Sequence, residues 1–156
     1  MKKVAYATRG VLVRGNKVLC IENKIPREGY YDLPGGGIEE GETPFDTCKR
    51  EFKEETGINV IAADYKGTLE IETSDSIINL KIFLINEYTG EPVYDLEENF
   101  CMWLDIDEFL SKEKLYANSI LLNKFFFEVL HRNKEFSINL TVDESDKIQT
   151  LNFKYV

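Results

Sequence analysis

Gly36-Gly37-Ile38-Glu39-Glu40-Gly41-Glu42 leads, through Thr43-Pro44-Phe45-Asp46-Thr47-Cys48-Lys49, into Arg50-Glu51-Phe52-Lys53-Glu54-Glu55-Thr56-Gly57-Ile58. Thr43 is a side chain that caps a helix, Pro44 suits the first helical position because its missing N–H costs nothing there, and Gly57 is a stop. The spacing therefore predicts a helix running to Thr56. At about 100° per residue, Glu51, Glu54 and Glu55 fall within an arc of roughly 100° on it. Phe45, Cys48 and Phe52 occupy an adjacent arc that should pack on a sheet, which leaves the three carboxylates along the edge of the buried stripe.

Carboxylates crowded at that edge repel one another and need neutralising. Arg50 can pair with Glu54 one turn on, and a hard divalent cation can take Glu51, Glu54 and Glu55 as oxygen ligands while keeping several waters. The glycines ahead of the helix let backbone amides and carbonyls approach a metal or a phosphate closely, and Gly36 is the candidate carbonyl ligand. Glu42 can accept from loop amides or pair with Arg50, binding loop to helix.

Outward from this centre, residues 4 to 13 and 17 to 22 read as two antiparallel strands joined at Arg14-Gly15-Asn16. Asn23 to Gly41 is too irregular for an element and too long for a mere connector. Beyond the helix, 58 to 71 and 77 to 88 read as strands, Phe100 to Leu104 as a short strand, and Asp105 or Asp107 as the start of a short helical piece. Tyr116 to His131, with Ile120, Leu121, Leu122, Phe125, Phe126 and Phe127, is too apolar all round for a one-sided surface helix. The alternation from Phe136 to Tyr155 around Asp143-Glu144-Ser145-Asp146 predicts a second hairpin. This order predicts an α/β fold, a mixed sandwich.

The 156 residues fit one domain, 1–156, with 135–156 as a C-terminal hairpin extension. A net charge of −9 argues against a broad basic surface for duplex nucleic acid or anionic membrane. It would also repel a small anionic substrate, so a phosphate ester would need local arginines or bound metal. No segment is apolar for the eighteen or more residues that cross a bilayer, and the start of the chain does not read as a signal peptide. Cys20, Cys48 and Cys101 form neither a disulfide framework nor a metal knuckle, which fits a reducing cytoplasm.

The spacing resembles the Nudix box, a glycine, a glutamate six positions on, then Arg-Glu-U-x-Glu-Glu-x-Gly-U with U bulky. Gly36, Glu42, Arg50, Glu51, Phe52, Glu54, Glu55, Gly57 and Ile58 meet every fixed position of it. The resemblance implies a MutT-like α/β/α sandwich with a mixed sheet. It also implies a pyrophosphohydrolase using Mg²⁺ or Mn²⁺ on a nucleoside diphosphate linked to another group. Carried over, Glu51, Glu54 and Glu55 are metal ligands, one of them orienting or deprotonating water, with Arg50 assisting and Glu42, Gly35, Gly37 and Gly57 as structural support. A further acidic ligand is implied on the stretch before Trp103, where Glu97 is favoured over Glu98.

Arg9, Lys24 and Arg27 are candidate phosphate contacts, and Tyr31 and Phe83 candidate stacking partners for a base. His131, at a helix C-terminus, reads as a partner of the helix dipole. Subfamily marks for ADP-ribose, dinucleoside polyphosphate, NADH and coenzyme A hydrolases are missing beyond the box, where Ser74-Asp75-Ser76 stands, and elimination favours a nucleoside triphosphate or similar small nucleotide. The alternative is a sensing domain that binds such a nucleotide without cleaving it. Phe125-Phe126-Phe127 and the terminal hairpin leave open a homodimer interface or cover within one chain.

Overall fold

The computed structural model describes residues 2–115, 119–145 and 147–156, with the side chains of 119–122 excepted. Strand β1 (Lys3–Val11) lies parallel to β6 (Ser76–Thr89) from Lys3 opposite Ser76 to Val11 opposite Leu84. On the far side of β6 runs β5 (Asn59–Glu72), antiparallel to it, then β8 (Phe136–Val142), parallel to β5, and at the edge β9 (Ile148–Tyr155). A second sheet is built on β3 (Lys17–Asn23), which pairs antiparallel with β7 (Asn99–Asp105) on one side and with the two-residue strands β2 (Val13–Arg14) and β4 (Tyr31–Asp32) on the other.

The opening run is therefore not one strand of a hairpin. The chain leaves the first sheet at Val11, and the Leu12 carbonyl already accepts from the Leu19 N–H at 2.9 Å in the second. Only Val13 and Arg14 form the hairpin with β3, across Gly15 at a φ of 64° that glycine adopts without strain. Hydrophobicity read along the run cannot show this change of sheet, because both sheets bury it.

Helix α1 (Pro44–Thr56) has the limits its sequence predicts. Thr43 caps it and accepts from the Asp46 N–H, the Asp46 carboxylate accepts from the Thr43 N–H in return, and Gly57 ends it with a left-handed φ of 84°. Its Cys48 and Phe52 join Leu12, Leu19, Ile58, Val60, Phe83 and Ile85 in one core. Gly10 makes room, since a Cβ there would overlap the Phe52 ring. Phe83 is thus a core residue, in ring contact with Phe45 and Tyr65, and is not free to stack on a base.

The other core joins the opposite face of the five-stranded sheet to α2 (Ile106–Leu110) and α3 (Ser119–His131). Phe125 and Phe126 are buried there, edge to face with Phe136 and Phe109, whereas Phe127 is 46% exposed. Two of the three aromatics are covered within the chain. The proposed helical start at Tyr116 and the burial of Ile120, Leu121 and Leu122 lie outside what is described. The terminal hairpin forms as its alternation predicts and widens the first sheet by two strands. Helices thus cover both faces of the strand layers, as the α/β sandwich requires.

Candidate active site

The segment from Pro34 to Ile38 runs beside β1. Gly10 N–H donates to the Pro34 carbonyl at 2.8 Å, Thr8 N–H to the Gly36 carbonyl at 2.9 Å, and Ile38 N–H to the Tyr6 carbonyl at 3.0 Å. Gly35 points its N–H the other way, onto Oε1 of Glu55 at 2.7 Å. Close approach is what the two glycines supply. A Cβ on Gly35 would overlap the Thr8 carbonyl, and one on Gly36 would overlap the Glu51 carboxylate. The Gly36 carbonyl, already engaged by Thr8, keeps one lone pair for a further partner. Gly37 bridges to Ala7 and accepts from Arg50 Nη2 at 3.1 Å.

Arg50 ties this loop to the helix. Its Nε donates to Glu42 at 2.7 Å, Nη2 to the other Glu42 oxygen at 3.0 Å, and Nη1 to Glu51 at 2.9 Å and to Glu54 at 3.5 Å. Glu42 does both things its position allows, since it also accepts from the Glu39 N–H at 2.9 Å and the Thr47 hydroxyl at 2.9 Å. Its carboxyl is held down at about 2, chiefly by the Arg50 hydrogen bond. The same contact raises the Arg50 guanidinium further above its usual range.

The three box acids differ in surroundings. Glu54 is 58% exposed and Glu51 only 16%. Glu55 lies deeper, and burial pushes its carboxyl up to about 8, against the Gly35 hydrogen bond and with the help of the neighbouring Glu51 charge. Glu51 is also raised, first by burial, with Arg50 opposing and Glu54 assisting. These two acids are held where negative charge is disfavoured, a strain that a hard divalent cation would relieve. The donor set therefore fits such an ion, although among the described residues no three acidic, histidine or cysteine side chains already converge as a ready-made ligand group.

Glu97 is exposed on the turn between Leu96 and Asn99. What brings that turn to the helix is Asn99, whose buried side chain donates to the Glu55 carbonyl at 2.9 Å. No pattern in the sequence marks Asn99.

Arg9 is placed beside the glutamates, where its charge partly opposes the rise that burial imposes on both Glu51 and Glu55. Its fork faces Asp32, with Nε to Oδ1 at 3.3 Å and Nη2 to Oδ2 at 3.1 Å, while Nη1 donates to the Thr8 carbonyl at 2.8 Å. Asp32 stands immediately before Leu33-Pro34, yet nothing local predicts a partner on β1. The pair lines a slot together with Tyr31, Leu33, Leu80, Ile82 and Phe125. The free space is about 30 Å³, on the order of a water or two, so the slot as it stands does not seat a base ring.

Tyr31 donates its hydroxyl to Glu22 at 3.1 Å, and burial followed by that bond pushes its pKa up to about 12. Arg27 lies outside the slot, exposed, with its guanidinium 5.4 Å from the Tyr30 ring. Lys24 is paired with Asp95 and the Leu96 carbonyl. His131 is exposed at the end of α3, against Phe127. The structure thus joins Arg9 and Tyr31 of the substrate-binding candidates and keeps Arg27 apart.

Residues 5–124 match the family profile described as the NUDIX domain. An uncharacterized Nudix hydrolase of Bacillus subtilis, YvcI, is 37% identical over 113 residues, 69% of this chain and 70% of that protein. An 8-oxo-dGTP diphosphatase of Haemophilus influenzae is 31% identical over 130 residues, 81% of this chain and 95% of its own. A crystal structure of a mutator MutT protein from Bacillus halodurans superposes with a TM-score of 0.80 at 28% identity, covering 96% of this chain and 97% of that one.

Proposed function

The chain belongs to the Nudix hydrolase family, and from that premise we propose that it converts a nucleoside triphosphate into a nucleoside monophosphate and pyrophosphate, using Mg²⁺ or Mn²⁺ held by Glu51, Glu54 and Glu55. The observation that carries this reading is the half-buried Glu51–Glu55 pair set against the Gly35-Gly36 backbone, with Arg50 fastening loop to helix. The Haemophilus relative named for a nucleoside triphosphate supports the substrate class.

In the reaction, water attacks phosphorus at the α–β bridge, the bridging P–O bond breaks, and its electron pair leaves with the other fragment. Glu51 and Glu55 lie one helical turn apart, burial and then the Glu51 charge raise the Glu55 carboxyl, and the proton released by water passes to this pair. A bound divalent cation would offset charge on the phosphoryl oxygens and make water more acidic. The remaining lone pair of the Gly36 carbonyl and the Glu97 carboxylate are the further candidate ligands. Arg50 and Glu42 hold the loop, and Gly57 ends the helix. Arg9 and Tyr31 border the substrate, with Arg27 reaching it only from the rim.

Product analysis with Mg²⁺ across nucleoside triphosphates, their 8-oxo forms, ADP-ribose and dinucleoside polyphosphates tests this. Monophosphate and pyrophosphate from a triphosphate, lost with Glu54→Gln, is the expected result. A nucleotide that binds in calorimetry and stays intact would replace hydrolysis with sensing.

A further inference from the structure

The last four carbonyls of a helix have no partner within it, and at the end of α1 these belong to Lys53, Glu54, Glu55 and Thr56. The Gly57 N–H closes onto the Lys53 carbonyl at 3.0 Å, but the Ile58 N–H turns to the Thr56 hydroxyl at 3.0 Å. The chain between β6 and β7 then takes over. Val93 N–H donates to the Thr56 carbonyl at 2.9 Å, and Asn99 Nδ2 donates to the Glu55 carbonyl at 2.9 Å.

Asn99 opens β7 on the side of the strand that carries Cys101 and Trp103 into the core beneath α1, and it is only 2% exposed. A leucine there would bury apolar surface, whereas an amide is costly unless it is bonded. Both amide hydrogens are used, because Nδ2 also donates to the Phe100 carbonyl at 3.2 Å. Glu55 is thus held twice, by its backbone through Asn99 and by its carboxylate through the Gly35 N–H at 2.7 Å. A chain of hydrogen bonds runs from β7 through the helix to the glycine loop. Asn99 also roots the turn that bears Glu97, since its carbonyl accepts from the Leu96 N–H at 3.0 Å. Lys24 grips the same turn, its N–H donating to the Glu98 carbonyl at 2.9 Å and its Nζ to the Leu96 carbonyl at 2.6 Å.

We infer that Asn99 is a positioning residue for the cation: by fastening the last turn of α1 to β7 it keeps the Glu55 carboxylate beside Glu51 and the glycine loop, where a divalent ion would be held. The inference rests on the proposed metal-dependent hydrolysis. A group one hydrogen bond behind a metal ligand changes metal affinity or turnover by about 10- to 100-fold when it is lost.

The test is Mn²⁺ titrated into the full chain, with the free ion followed by electron paramagnetic resonance, beside kcat and KM for a nucleoside triphosphate at saturating Mg²⁺. Asn99→Leu fills the space without a donor, and should raise the Mn²⁺ Kd and lower kcat about tenfold each while KM stays within about twofold. Asn99→Ala, which vacates the space, should give the same signature should leucine pack badly. Ile138→Ala weakens the other core on β8 and should lower the melting temperature with the Mn²⁺ Kd unchanged. Glu55→Gln reports on the metal site itself. If it binds Mn²⁺ like its parent, the metal-site reading falls and this inference with it. If it binds Mn²⁺ more weakly while both Asn99 variants bind like the parent, or if Ile138→Ala loses as much affinity as they do, only the role of Asn99 is overturned. The Mn²⁺ titration decides this whichever nucleotide is cleaved.

Discussion

Replacing Glu55 by glutamine should make the cation-free protein more stable while abolishing its activity. Glutamine keeps the shape and still offers an oxygen to the Gly35 N–H, but removes a carboxyl that burial has raised from 4.5 to about 8. A group raised in the fold binds its proton more tightly folded than unfolded. Its cost to stability therefore begins above pH 4.5, grows with pH and levels off above about 8. At pH 7 the gap of roughly 2.5 units, at about 1.4 kcal/mol each, gives a cost of about 3 kcal/mol. For a chain of this size that corresponds to a melting point higher by roughly 5–10 °C in the variant. Differential scanning calorimetry in EDTA, from pH 5 to 9, measures it. The gain should be small at pH 5 and full above pH 8, and Mg²⁺ should then stabilise the parent protein more than the variant. A variant no more stable than its parent at pH 8, or a gain that is the same at every pH, would refute the reasoning.

Gly36→Ala should leave the fold nearly as stable but displace the Glu51 carboxylate, lowering kcat about a hundredfold in steady-state assays with unchanged circular dichroism. Glu42→Gln should destabilise at neutral pH. The parent's carboxyl is lowered to about 2, so its contribution is present above its ordinary 4.5 and lost as pH falls through 2, and urea titrations of the two proteins should converge across that window. Asp32→Ala leaves the Arg9 charge largely buried without its bidentate partner and should cost about 2–3 kcal/mol, much of it recovered when Arg9→Met is added, as a double-mutant cycle would show.

The parts that could be read from the chain are those whose cause is local. Thr43, Pro44 and Gly57 bound α1 because capping is settled within a few residues, and the glutamates share an arc because helical geometry follows from spacing alone. The alternation of Phe136, Ile138 and Leu140 likewise predicts β8. What escaped depends on distant partners. The change of sheet after Val11 is set by the partners of β1 and β3, Asp32 meets Arg9 across 23 positions, and Asn99 reaches the Glu55 carbonyl across 44.

That division also bears on how an acidic protein handles a polyanion. The local pattern assembles the negative half of the centre, crowding Glu51 and Glu55 on one helix edge where both carboxyls are raised. Of the opposing charges, Arg50 is equally local, one position before Glu51 on the same helix, whereas Arg9 arrives by a longer route, through its place on β1. Arg9 is committed to Asp32 and the Thr8 carbonyl, and Arg50 to Glu42, Glu51 and Gly37, so the charge each has left for a phosphate is small. Under the proposed function, the positive potential for the substrate would come mainly from a divalent cation held by Glu51, Glu54 and Glu55, and cation and nucleotide binding would then be coupled.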